Sequence, residues 1–228
     1  MYEGFAEDYL VHAGQSAYNA YYDRPAVLEA LGPVDGMRIL DAGCGPGLLS
    51  RELVAGGAAS VVGVDASARM VDLATQNVAG PVEFRVHDLA EPLSWLDDGS
   101  FDVAVMALVI HHLDDRSAAL REIARFLRPG GRLVISTHHP TGDWVGQGGS
   151  YFAVEKISET WSRGWQMTYW RQPLELTCRE FIAAGFLIEG LYEPRPSEEL
   201  RQRYPDAAEK LSREPGFIVF RLFKPSAP

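Results

Sequence analysis

Between residues 37 and 136, apolar runs of strand length alternate with longer stretches of helical period. A strand buried on both faces by helices reads as continuously apolar and rich in β-branched residues. Val61-Val-Gly-Val64 and Val103-Ala-Val105 have that texture, and they anchor five expected strands at 37–41, 60–64, 82–86, 102–107 and 131–136. Helical patterns occupy 48–55, 67–78 and 116–127, the second opened by Ser67 at an N-cap position. Arg128-Pro-Gly-Gly131 is expected to stop the third helix and launch the fifth strand. Strands alternating with helices in this way imply βαβ units and an α/β, Rossmann-like doubly wound sheet.

After residue 136 the pattern loses its period. Residues 137–173 are rich in Gly and hold four of the five tryptophans, Trp144, Trp161, Trp165 and Trp170. Regularity returns with a helix at 177–184 ended by Gly185, a strand at 186–192, a polar helical connection at 198–213 broken by Pro205, and a strand at 216–223. Those two late strands are expected to pair as an antiparallel hairpin at the sheet edge. The chain 1–228 therefore reads as one domain, with an N-terminal helical cover (1–36), a core (37–136), an aromatic lid insert (137–175) and a C-terminal helix and hairpin (176–228).

Composition narrows the partners. With 46% hydrophobic and 23% charged residues, the 228-residue chain can bury a core, which excludes coiled-coil and wholly disordered readings. Its 21 basic and 31 acidic residues leave a net charge of −10 with no Lys/Arg run, so neither nucleic acid nor a membrane surface is an expected partner. Cys44 and Cys178 are far apart and in no Cys-x-x-Cys spacing, which supports neither a disulfide framework nor a zinc site. The acidic start and the absence of an apolar run long enough to span a bilayer lead us to expect a cytoplasmic protein. A monomer and a homodimer both fit.

The chemistry concentrates in Ile39-Leu-Asp-Ala-Gly-Cys-Gly-Pro-Gly47, an expected strand running into a glycine turn and then a helix. Residues without Cβ allow positive φ and leave room for a ligand against bare backbone. Two chemistries compete for such a turn. A dinucleotide fingerprint requires a glycine at position 48, where this chain has Leu48, and Asp41 beside the turn would repel a pyrophosphate. Acid there favours an ammonium or sulfonium ligand. Asp65 ends the second strand, where a carboxylate can take both ribose hydroxyls, and Asp88 follows the third, placed for an adenine amino group. Three carboxylates after three successive strands line the ligand-binding edge of an open α/β sheet. The alternatives are a NAD(P)-dependent oxidoreductase, disfavoured by Asp41 and Leu48, and a nucleotide-binding module without catalysis.

Asp41 to Gly47, Asp65, Asp88, the Phe101-Asp102 strand opening and Leu127-Arg-Pro-Gly-Gly131 together resemble the class I S-adenosylmethionine-dependent methyltransferases, in particular the small-molecule group of the ubiquinone and menaquinone methyltransferases. The likeness is specific over residues 37–136. It implies a seven-stranded sheet of order 3-2-1-4-5-7-6 and S-adenosyl-L-methionine as cofactor. It assigns Asp41, Gly43, Cys44 and Gly45 to the methionine portion, Asp65 to the ribose, and His87, Asp88 and Leu89 to the adenine. Ala66 and Met70 would flank the adenine, Ala107 would lie near the sulfonium, and Tyr22 of the N-terminal cover would touch the cofactor. The Asn/Asp-Pro-Pro-Tyr/Phe signature of amide and base methylation is absent after the fourth strand, where Ala107-Leu-Val-Ile-His-His-Leu113 stands.

The expected reaction is methyl transfer to a small, apolar or aromatic acceptor on O, N or C. In-line displacement from a sulfonium draws mainly on positioning and exclusion of water, and a base is needed only when the acceptor loses a proton. His138, His139 and His111 are the candidate bases, since each follows a strand aimed at the ligand edge and histidine titrates near neutrality. His111, His112 and Asp114 are not read as a metal site, because adjacent residues do not share a helix face. Tyr18, Trp144, Tyr151, Trp165 and Tyr169 are the candidates for an aromatic acceptor pocket.

Overall fold

The structure, a computed structural model, describes residues 2–161 and 163–226. Five parallel strands, β1 (Arg38–Ala42), β2 (Ser60–Asp65), β3 (Val82–Val86), β4 (Phe101–Ala107) and β5 (Leu127–His138), form the bulk of one sheet. Separate from it, β6 (Glu155–Thr160) and β7 (Gln166–Arg171) pair as an antiparallel hairpin. The late strands β8 (Leu187–Tyr192) and β9 (Phe217–Phe223) close the main sheet, β9 pairing antiparallel with both β5 and β8. The resulting order, β3-β2-β1-β4-β5-β9-β8, is the expected one once the hairpin is set aside.

Helices cover both faces, as the apolar strands require. They are α1 (Ala6–Gln15), α2 (Arg24–Leu31), α3 (Leu48–Ala55), α4 (Ala68–Asn77), α5 (Arg116–Phe126), α6 (Pro140–Gln147), α7 (Leu174–Ala183), α8 (Glu198–Arg203) and α9 (Pro205–Arg213). Alternate residues of each strand feed opposite layers. Ile39, Val61, Val103, Val105, Val134 and Val219 pack with α2 and α3 through Val27, Leu49 and Leu53. Leu40, Ala104, Met106, Leu133, Ile135 and Phe220 face the other way, against Leu120, Ile123 and Phe126 of α5 and Phe181 of α7. Strand order reverses between β1 and β4, so β1 and its neighbours open a crevice at their carboxyl ends, the place where such sheets bind ligands.

Two local expectations change. Arg128-Pro-Gly-Gly131 is no free turn: β5 already starts at Leu127 and carries a register shift opposite Phe101 and Val103. Gly130 there has φ +79, and the segment is tied to the chain end by Gly130 N–H donating to Lys224 O and Lys224 N–H to Gly131 O. The insert is also more regular than its sequence suggests, since it contains α6 and the β6–β7 hairpin. That hairpin alternates Glu, Ile and Glu against Met and Tyr on a half-exposed two-stranded ribbon, a pattern too short to stand out among Gly and Trp. As expected, Pro205 divides the polar connection into α8 and α9.

Candidate active site

Each turn at the crevice is held by the residues that face it. The glycine turn after β1 takes φ values of +84 at Gly43 and +51 at Gly45, and the N–H groups of Gly43 and Cys44 both donate to Val64 O of β2. A Cβ on Gly43 would lie 2.3 Å from Val109 Cγ2, whereas one on Gly45 would project into open space along the crevice. Asp65 braces the same turn from β2, its Oδ2 accepting from Gly45 N–H at 2.9 Å and its Oδ1 from Ser67 N–H at 2.9 Å. Ser67 Oγ in turn accepts from Met70 N–H, so α4 begins at the crevice with its first turn capped.

Two adjoining cavities follow the carboxyl ends of β1 to β4. The larger, about 310 Å³, is lined by Gly43, Gly45, Asp65, Ala66, Ser67, Met70, His87, Asp88, Leu89, Ala107 and Leu108 among others. The smaller, about 90 Å³, is lined by Asp41, Cys44, Gly45, Ala107 and Leu108 together with Asn19, Asp23 and Arg24 from the N-terminal cover. Asp41 is buried and accepts from Ser50 Oγ at 2.5 Å; burial pushes its carboxyl up to about 6 despite that bond. Burial likewise pushes the Cys44 thiol up, away from a reactive thiolate.

A third cavity of about 460 Å³ lies on the other side of Leu108 and Tyr9. Rings line much of it, Tyr18, His111, His112, His138, Trp161, Tyr169 and Phe217, with Asp143, Glu159, Lys210 and Glu214 among them. The His138 ring stacks on His111 at 4.2 Å, meets Tyr169 edge-on at 4.5 Å, and lies parallel to Phe217 at 5.8 Å. His138 Nδ1 is 3.3 Å from Asp143 Oδ1, the arrangement in which a carboxylate orients an imidazole. His111 is held neutral by burial and by the neighbouring His138, and its Nδ1 is 3.1 Å from Thr137 Oγ1. His112 is pushed down to about 4 by burial; its Nδ1 lies 2.9 Å from Thr168 O, so Nδ1 carries the proton.

Leu108 stands where the cavities of the site meet. It alone among described non-glycine residues has a positive φ, +57, and it lines all three cavities. Its N–H donates to both the backbone oxygen and Oγ of Ser136, at 3.0 and 3.1 Å, which holds the left-handed conformation in place. Tyr9 of α1 borders the same three cavities, and burial pushes its phenol up to about 12.

With this geometry in view, the comparisons are specific. A family model described as a methyltransferase domain matches residues 40–135. Over residues 40–135 the chain is thus similar to a methyltransferase domain. Over 115 residues the chain is 33% identical to a ubiquinone biosynthesis O-methyltransferase of Ralstonia nicotianae, covering 49% of this chain and 48% of that protein. It is 40% identical over 114 residues to a demethylmenaquinone methyltransferase of Clavibacter sepedonicus, covering 49% and 45%. The chain thus spans about half the length of the curated relatives it matches. A crystal structure of an S-adenosylmethionine-dependent methyltransferase from Mesorhizobium loti superimposes with a TM-score of 0.73 at 24% identity, covering 92% of this chain and 99% of that one, which establishes the shared fold.

Of the residues expected at the methyltransferase site, Asp41, Gly43, Cys44, Gly45, Asp65, Ala66, Met70, His87, Asp88, Leu89 and Ala107 all border the two smaller cavities. His111, His138, Tyr18 and Tyr169 border the third. Five expectations do not fit. Tyr22 is turned away from the crevice into a cluster with Leu200, Ala208 and Leu211, and its hydroxyl donates to Pro194 O. His139 caps α6, its Nδ1 accepting from Thr141 N–H, while Nε2 reaches Glu193, so it does not line the third cavity. Trp144 and Tyr151 pack edge to face on the outside of the insert, with Trp144 Nε1–H donating to Gly149 O and Tyr151 Oη accepting from Leu174 N–H. Trp165 stacks on Phe5 at 4.7 Å and meets His12 edge-on, pinning the tip of the hairpin to the N-terminal cover rather than lining the pocket. Arg24, Asp23, Tyr9 and Leu108 went unnoticed because none belongs to a spaced motif. Arg24-Pro25 at a helix start was the one available signal.

Proposed function

We propose that this chain transfers the methyl group of S-adenosylmethionine to a small aromatic acceptor held in the 460 Å³ cavity, with His138 as the base where the acceptor must lose a proton. The observation that carries this reading is the junction at Leu108 and Tyr9: a cavity suited to a nucleoside meets a ring-walled cavity there, as donor and acceptor must meet. The residues fit the cofactor. Gly45 leaves an open cradle, Asp65 offers a carboxylate for ribose hydroxyls, and Asp88 stands beyond β3 for an exocyclic amine. The 90 Å³ pocket combines one guanidinium, Arg24, with the carboxyls of Asp23 and Asp41, which suits the zwitterion of an amino acid.

S-adenosylmethionine supplies an activated methyl on a sulfonium. What the chain supplies is placement and shelter. Tyr9 borders all three cavities at their junction, and a water-poor site favours a displacement in which charge is lost. Asp143 fixes the His138 ring, leaving its other nitrogen as the proton acceptor within a cavity lined by neutral His111 and His112. The relatives named above act in ubiquinone and menaquinone biosynthesis, which makes hydroxylated aromatic rings the first acceptors to try.

The test is methyl transfer from labelled S-adenosylmethionine to a panel of catechols and hydroquinones. Acceptor-dependent formation of S-adenosylhomocysteine supports the reading. Tight S-adenosylhomocysteine binding with no transfer to any small ring would instead leave a binding module.

A further inference from the structure

Asp23 closes the turn of helix between α1 and α2, is 4% exposed, and borders the 90 Å³ pocket beside Arg24, Asp41 and Ala107. Its Oδ1 is buried with no hydrogen-bond partner, and among the described residues no ion pair joins it to Arg24. Its carboxyl is otherwise held by the Ser136 hydroxyl, the same side chain that clamps Leu108. A buried, half-satisfied carboxylate is costly unless a bound group completes it. Arg24 is engaged elsewhere through Nη2, which donates to Ala13 O, and Asp41 already accepts from Ser50.

We propose that Asp23 is the receptor for the α-ammonium of the cofactor's methionine end, its partnerless Oδ1 accepting a charge-assisted hydrogen bond from that group. This rests on the reading of the crevice as an S-adenosyl site. Asp23 would act on binding rather than on the chemical step, and through Ser136 it would couple occupancy of this pocket to the strained Leu108 at the junction with the acceptor cavity. The charged and titratable groups around it are Arg24 next in the chain, Asp41 on β1 across the pocket, Tyr9 on α1 and His138 on β5. Burial raises its carboxyl to about 7, so below neutrality it is protonated and cannot offer a full charge to an ammonium.

The experiment is calorimetry with three ligands: S-adenosylhomocysteine, its deamino analogue carrying a carboxypropyl thioether, and 5′-deoxy-5′-methylthioadenosine, which lacks the whole amino-acid end. Wild type is expected to prefer S-adenosylhomocysteine over the deamino analogue by about tenfold or more, as a charge-assisted hydrogen bond would give. Asp23→Asn should shrink that preference below about threefold and leave methylthioadenosine affinity unchanged. A preference that survives in Asp23→Asn, or an equal loss for all three ligands, overturns the assignment. Should the variant fail to fold, wild type alone decides: its preference for the amino form must grow from pH 6.0 to 7.4, and a flat preference refutes the role. If wild type binds none of the three, the S-adenosyl reading itself falls and this assignment falls with it.

Discussion

The cofactor side and the proposed acceptor side of this site are built in different ways. The cofactor side comes mainly from the run of chain after β1 to β4, with Asp41, Asp65 and Asp88 standing at or just past the ends of successive parallel strands and turns held by backbone donors to Val64 O and the Asp65 carboxylate, while the N-terminal cover adds Tyr9, Asp23 and Arg24. The acceptor side gathers side chains from α1, the ends of β4 and β5, the hairpin and the start of β9. A nucleoside is thus met by backbone geometry that admits few residue types, while the acceptor is met by rings that can be exchanged without touching the sheet. Substrate range can change on such a scaffold while the cofactor stays the same.

If that contrast is right, a change in the turn should abolish cofactor binding and damage the fold together. Gly43→Ala puts a Cβ 2.3 Å from Val109 Cγ2 at a φ of +84. Left-handed backbone and overpacking together should cost about 2–5 kcal/mol. Calorimetry should find no S-adenosylhomocysteine binding, and thermal melting a lower midpoint. Across Leu108 the opposite is expected. His138→Gln should lower kcat by roughly 10²–10⁴-fold for an acceptor that must lose a proton, the usual range for a lost general base, with S-adenosylhomocysteine affinity unchanged.

A third variant sharpens the comparison through stability. In the folded chain Asp23 titrates near 7, above the ordinary carboxyl near 3.9, so folding favours its protonated form. Its contribution to stability is therefore full below about pH 4 and is lost as pH rises through 7. Asp23→Asn should make the ligand-free protein more stable at pH 8, by about 1–4 kcal/mol at roughly 1.4 kcal/mol per pH unit, and leave it unchanged near pH 4. Urea titration at the two pH values measures this. The smallest effect on the acceptor belongs to the cover: Trp165→Ala removes a buried ring and its stack on Phe5 and should raise KM for the acceptor a few-fold, as losing a stacked pair worth about 0.5–1.5 kcal/mol would.

The same contrast explains what was legible in the sequence. The strand order, the glycine turn and the line Asp41, Asp65, Asp88 could be read because local pattern and fold agree there, each residue's place following from the strand it ends. The insert resisted because β6 buries little and the buried alternation of β7, Met167, Tyr169 and Arg171, is a single short strand set among Trp and Gly that pack outside the sheet. Tyr22 and His139 were misplaced for a related reason: a residue type and a neighbourhood in sequence do not say which way a side chain turns at the end of an element. Arg24 and Asp23 are adjacent to Tyr22 and line the crevice that it leaves. Leu108 was invisible because a positive φ at leucine has no sequence signature.

The central claim is that the crevice over β1 to β4 is built for an S-adenosyl ligand and not a dinucleotide. Calorimetry of the purified chain with S-adenosylhomocysteine and with NAD tests it directly. The account predicts one S-adenosylhomocysteine bound per chain and no heat of binding from NAD; tight NAD binding without S-adenosylhomocysteine binding would contradict it.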